Sequence, residues 1–163
     1  MATWQFNLYL LPRLKIIERY SSVPVQVSAE EYAAAMDWWN GVTLPLNYDS
    51  MLGSILPKYT SWNKDAFTWG DEKSDSIAII FENNAPVEIF VRLDVSKLEI
   101  SLLEKIAHFA QQCDCLLLLD ESRKLIEPDP LSLNYEIKRS NAYKFVLNPR
   151  GFLDELSKKL KGH

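Results

Sequence analysis

Histidine and cysteine are scarce in this chain: two of each in 163 residues. Histidine is the side chain that most readily exchanges a proton near neutral pH, so few acid–base centres of the common kind are on offer. Cys113 and Cys115 stand two positions apart, which is no disulfide framework. With only His108 near them in sequence they also fall short of the four ligands zinc takes. They read as buried thiols at a helix-to-strand junction. His108 reads as a surface partner of Glu104 and His163 as a mobile terminal residue. No metal, cofactor or catalytic set is expected. The chain has no G-x-S-x-G, no Walker A, no G-x-G-x-x-G and no H-E-x-x-H. The adjacent acids Glu30/Glu31, Asp71/Glu72 and Asp120/Glu121 diverge in space if neighbours behave ordinarily, so they read as solvated faces.

Positive charge is also in deficit. Eighteen basic residues face 22 acidic ones, for a net charge of −4. Nucleic-acid affinity comes largely from neutralising phosphates, so that class of partner is disfavoured, as is an anionic membrane surface. A basic protein partner is compatible. No apolar run approaches the ~20 residues that cross a bilayer. The start, Met1 to Leu11, carries no positive charge, and Gln5 and Asn7 interrupt its apolar residues, so it does not read as a signal peptide. The expected location is the cytoplasm.

Aromatic residues, in contrast, are plentiful: five Trp, seven Tyr and seven Phe. Aromatics anchor binding surfaces, and the balance favours recognition over catalysis. The length suits one domain over residues 1–163, and at 47% hydrophobic and 25% charged the chain can bury a core.

Residues 3–10 alternate: Trp4, Phe6, Leu8 and Leu10 against Thr3, Gln5, Asn7 and Tyr9. This predicts a half-buried strand ended or bent by Pro12. Ser28-Ala29-Glu30-Glu31 has the form of a capping box, with a helix through Trp39 or Asn40 and a left-handed stop at Gly41. Residues 42–72 read as a long inserted loop with one short helix near 49–56. Strands at 76–81 and 87–94 are joined by Glu82-Asn83-Asn84-Ala85-Pro86 as a hairpin. A helix over 98–112 and an apolar strand over 115–119 follow. Asp129-Pro130 and Asn148-Pro149 each open a helix, giving a helical extension over 129–161, with Ala142–Leu147 as a short strand between. The order from 3 to 119 is βαββαβ, which predicts an α+β ferredoxin-like antiparallel sheet with the 42–72 insertion and the C-terminal helices added.

Two places could carry recognition. In the insertion, Trp62, Phe67 and Trp69 stand beside Asp71 and Glu72, a set suited to anchoring and steering a basic partner. These are the candidate contacts, and Trp69 and Asp71 are expected to be replaceable without unfolding. Packing of the tryptophans onto the core is the competing reading. Trp38 and Trp39 are adjacent and cannot both face inward from one helix, so one is expected near the surface. On the sheet, Tyr9, Glu88, Phe90 and Arg92 share a face with Gln5 and Asn7. Two aromatics on neighbouring strands are the pattern of an RNA-stacking sheet, but Glu88 and the overall acidity oppose that. Either a cross-strand Glu–Arg pair covered by the C-terminal helices or a small-molecule pocket fits better.

Trp62 with Trp69-Gly70, Arg92-x-Asp94 ending a strand, Asp114-Cys115 opening another, and Ser140, Phe145, Pro149 and Phe152-Leu153 form a pattern over the last two-thirds of the chain. It resembles small bacterial proteins of unassigned function, some of which are immunity proteins of polymorphic toxin systems. The resemblance implies a stoichiometric inhibitor that binds one basic toxin domain and has no active site. Such families differ widely in fold and surface, so no binding residue carries over. The expected function is a non-catalytic protein-binding domain. A small-molecule-binding domain or carboxylate-dependent hydrolase, and a subunit of a larger assembly, are the alternatives.

Overall fold

The computed structural model describes residues 4–34, 37–60 and 63–161. Its centre is one seven-stranded antiparallel sheet in the order β2-β3-β4-β5-β1-β6-β7. The strands are β1 (Gln5–Pro12), β2 (Lys58–Tyr59), β3 (Ala66–Gly70), β4 (Ser76–Glu82), β5 (Ala85–Asp94), β6 (Cys115–Leu119) and β7 (Leu125–Ile126). Seven α-helices accompany them among the described residues: α1 (Arg13–Tyr20), α2 (Ala29–Ala34), α3 (Tyr48–Gly53), α4 (Ile100–Gln112), α5 (Pro130–Lys138), α6 (Asn141–Leu147) and α7 (Pro149–Lys161).

The alternation of β1 sorts the sheet into two faces. Leu8 stands opposite Val91 on one side and Leu119 on the other, and Val91 opposite Ile77. Ile77 in turn faces Trp69, completing one apolar row across the sheet. Helices α3 and α4 close this face: Tyr48 of α3 meets the Trp69 ring edge-on at 6.5 Å, and α4 buries Leu103, Ile106 and Phe109. Then α5 packs on α4, α6 on α5, and α7 on α6. Helix α7 buries none of its residues, and Leu153, Leu156 and Leu160 stay exposed.

The opposite face carries Gln5, Asn7 and Tyr9, in register with Asp94, Arg92 and Phe90. The C-terminal helices do not close it, contrary to expectation. Tyr32 of α2 meets Tyr9 there at 5.7 Å. At the other end the turn after β3 folds over the face, and the Glu72 carbonyl accepts from Gln5 Nε2 and Arg92 Nη1, each at 3.1 Å. Gly70 starts that turn at φ +96, and a Cβ on it would lie 2.2 Å from the Asp75 carbonyl oxygen, so only glycine fits.

Local signals explain several boundaries. Asn83 and Asn84 both take positive φ (52 and 62), the geometry of a two-residue hairpin turn. The Ser28 hydroxyl accepts from the Glu31 N–H at 3.1 Å. Asp129 caps α5 by accepting from the Ser132 N–H.

Four expectations need correction. The four-stranded ferredoxin-like βαββαβ sheet is not what the chain builds: β2 and β3 extend one edge and β7 the other, and three helices occupy the first crossover. Residues 42–72 are not a loop, because α3, β2 and β3 lie within them. Residues 142–147 are helical, since the Ser140 hydroxyl accepts from the Tyr143 N–H and starts α6. Finally, Trp38 and Trp39 are both buried, at 6% and 2% exposure. They sit in a turn beyond α2, where helical spacing no longer keeps them apart.

Candidate functional site

The insertion set does not assemble as a surface patch. Trp62 lies outside the described residues. Trp69 is wholly buried near the end of β3, so it belongs to the core and offers no contact surface. Phe67, on the same face of β3, is 40% exposed, packs on Phe81 at 5.1 Å and carries Lys58 Nζ 5.0 Å from its centroid. Asp71 and Glu72 are exposed. The Asp71 carboxylate accepts from the Lys73 N–H at 2.9 Å and shapes the turn, and Glu72 ties the turn to the sheet through its backbone carbonyl.

The sheet set does come together. Tyr9 and Phe90 are cross-strand partners with ring centroids 5.1 Å apart. The Arg92 guanidinium lies 5.3 Å from the Phe90 ring. Glu88 and Arg92 form no ion pair with each other: Arg92 reaches the Glu72 carbonyl instead. The expected Glu–Arg pair is therefore replaced by an arginine engaged elsewhere and a carboxylate with no hydrogen bond or salt bridge among the described residues.

Beside Tyr9 and Glu88 opens a cleft of about 440 Å³, walled by Tyr32, Trp38 and Trp39 and bordered by Glu82. Chain geometry explains how these meet. Strand β1 brings Tyr9, the β4–β5 hairpin brings Glu82 and Glu88, and the segment after α1 returns over the sheet with Tyr32 and the tryptophans. The Trp39 indole N–H donates to the Leu10 carbonyl at 3.2 Å and pins that segment to β1. Tyr20 stacks on Trp38 at 6.4 Å from outside, with Arg19 5.8 Å from the Trp38 ring.

The electrostatics of the cleft follow from burial. Burial pushes the Glu88 carboxyl above the ordinary glutamate range. Burial, then the negative charges of Asp120 and Glu88, raise Tyr9, while Arg123 and Arg92 oppose them. Tyr32 is raised by burial first, then by Tyr9 and Glu88. Both phenols are neutral at pH 7 and serve as hydrogen-bonding groups. Three buried polar atoms near this face have no partner among the described residues: Trp38 Nε1, Asn7 Oδ1 and Arg92 Nε. Unpaired buried donors and acceptors are costly and rare, and they accumulate here.

Of the sequence-derived pocket, Tyr9 and Glu88 line the cleft, whereas Phe90 and Arg92 lie beside it. Tyr32, Trp38 and Glu82 escape the sequence reading. The aromatic excess pointed to such residues in general, but nothing local tied α2 to β5. The cysteines sit where expected, Cys113 at the end of α4 and Cys115 opening β6. Burial pushes the Cys113 thiol up to about 12 and Cys115 higher still, so neither is a thiolate at pH 7. Among the described residues no group of three or more His, Cys, Asp or Glu could hold a metal ion, and no helix is long and apolar enough to cross a membrane. Comparison with protein-family models, with curated proteins and with solved structures finds no match to this chain.

Proposed function

We propose that this protein is a non-catalytic binding domain that engages one basic protein partner through the Tyr9–Glu88 cleft. The observation that carries this reading is the pairing of aromatic walls with Glu82 and Glu88, carboxylates that form no ion pair among the described residues. A partner bringing positive charge gains Coulombic energy there, while the partly exposed Tyr9 and Tyr32 supply aromatic contact area. The net charge of −4 adds long-range attraction. The narrowest form of the reading is a stoichiometric inhibitor of a toxin, as an immunity protein is, acting in the cytoplasm. It shifts the contact surface from the buried Trp69 to the sheet.

Affinity capture of the tagged protein from its native host at low salt tests this. The expected result is one basic protein in 1:1 ratio, released by raised salt. Failure to recover any stoichiometric protein contradicts the reading.

The size of the cleft favours a second reading. About 440 Å³ lies within the ~300–1,000 Å³ of small-molecule pockets, so a free ligand in the same place is the runner-up. The exposed leucines of α7 favour a third, a docking face in a larger assembly.

A further inference from the structure

We propose that the cleft is a receptor for a single organic cation, an ammonium or guanidinium group, presented as a lysine or arginine side chain of the partner. This rests on the binding reading above and specifies its chemistry.

Two features carry it. The first is the floor. Glu88 is half-buried on β5, and both it and Glu82 border the cleft. Neither makes a hydrogen bond or ion pair among the described residues. A desolvated carboxylate without a counter-charge is unfavourable, and an entering cation relieves it. Burial raises the Glu88 carboxyl above the ordinary glutamate range.

The second is the walls. Tyr9, Tyr32 and Trp38 line the cleft, and aromatic faces attract cations. The chain itself uses two of these rings in this way: the Arg19 guanidinium lies 5.8 Å from the Trp38 ring and that of Arg123 lies 5.7 Å from Tyr32. Neither arginine lines the cleft, and both tyrosines feel the negative charges of Glu88 and Asp120 against the positive charge of Arg123.

A lysine or arginine side chain carries such a cation on a methylene stem that aromatic walls can cover, and the net charge of −4 favours a cationic partner.

The test uses the full chain and three probes: Nα-acetyl-arginine amide, the citrulline analogue of the same shape without charge, and butylguanidinium. Binding is read by calorimetry and by the Trp38 indole N–H resonance, identified from its loss in Trp38→Phe. The arginine amide is expected to bind saturably and move that resonance. The citrulline amide should bind at least tenfold more weakly. Glu88→Gln should weaken the arginine amide by a similar factor with an unchanged amide spectrum elsewhere, and Glu82→Gln provides a second variant. Arginine amide binding tighter than butylguanidinium supports a partner side chain as the source. Equal binding supports the cation class with a free ligand as its source. Equal binding of the citrulline amide overturns the cation assignment and leaves the cleft as a binding site. No binding of the arginine amide also overturns it. The capture experiment does not use these probes, so it judges the protein-binding reading separately.

Discussion

Trp69 and Glu88 show what a single side chain does in this molecule. The indole of Trp69 is wholly enclosed between β3, β4 and α3, and its N–H has no acceptor among the described residues. Truncation to alanine leaves a large cavity, so Trp69→Ala should cost ~3–5 kcal/mol of unfolding free energy, seen as a lowered denaturation midpoint. The same change at half-exposed Phe67 should cost distinctly less. Glu88 acts on stability with the opposite sign to a paired carboxylate. Its folded-state carboxyl is raised by burial, so the unfolded chain releases the proton first as pH climbs. The resulting destabilisation is absent below the unfolded glutamate pKa. It accrues between that value and the raised one, and is constant above it. Glu88→Gln removes it. Denaturant titrations should show the variant gaining on the wild type between pH 4 and pH 7 (about the span from below the unfolded pKa to neutrality), and an unchanged difference across that range would contradict the assigned environment.

At the scale of elements, signals written in a few adjacent residues were legible and pairings between distant segments were not. The Asn83-Asn84 turn and the Asp129-Pro130 and Asn148-Pro149 starts each depend on local backbone chemistry, whereas Gly41, at φ +76, closes the turn that holds Trp38 and Trp39 and not the helix expected to run to them. Strand β3 was hidden because Ala66–Gly70 is short and its extended state depends on pairing with β4. Helix α6 was misread for a related reason. Tyr143, Phe145 and Val146 favour strands by residue type, yet Ser140 imposes a helix start: its hydroxyl accepts from the Tyr143 N–H at 3.2 Å and donates to the Ile137 carbonyl at 2.6 Å. Ser140→Ala should therefore lower stability by about 1–2 kcal/mol, measured by chemical denaturation. Ser140→Asp or Ser140→Asn should retain part of the cap. A silent Ser140→Ala would mean that packing alone holds α6.

Across the whole molecule, the two sheet faces have divided the work. One is sealed under α3, α4 and α5. The other is left partly open between α2 and the Glu72 turn. Alternation in β1 and β5 made that polar face readable in advance, including the meeting of Tyr9 with Phe90. The cleft itself was not readable, because Tyr32 and Trp38 reach it only when the chain after α1 doubles back and Trp39 bonds to Leu10. A recognition site assembled from three separate segments leaves no motif in any one of them. On the proposed reading, this cleft is where a basic protein is held. The direct measurement is quantitative capture from native lysate with the wild type and with Glu88→Arg, each verified as folded by circular dichroism. A basic 1:1 partner retained by the wild type and lost from Glu88→Arg is the predicted result. A partner retained equally by both proteins would contradict it.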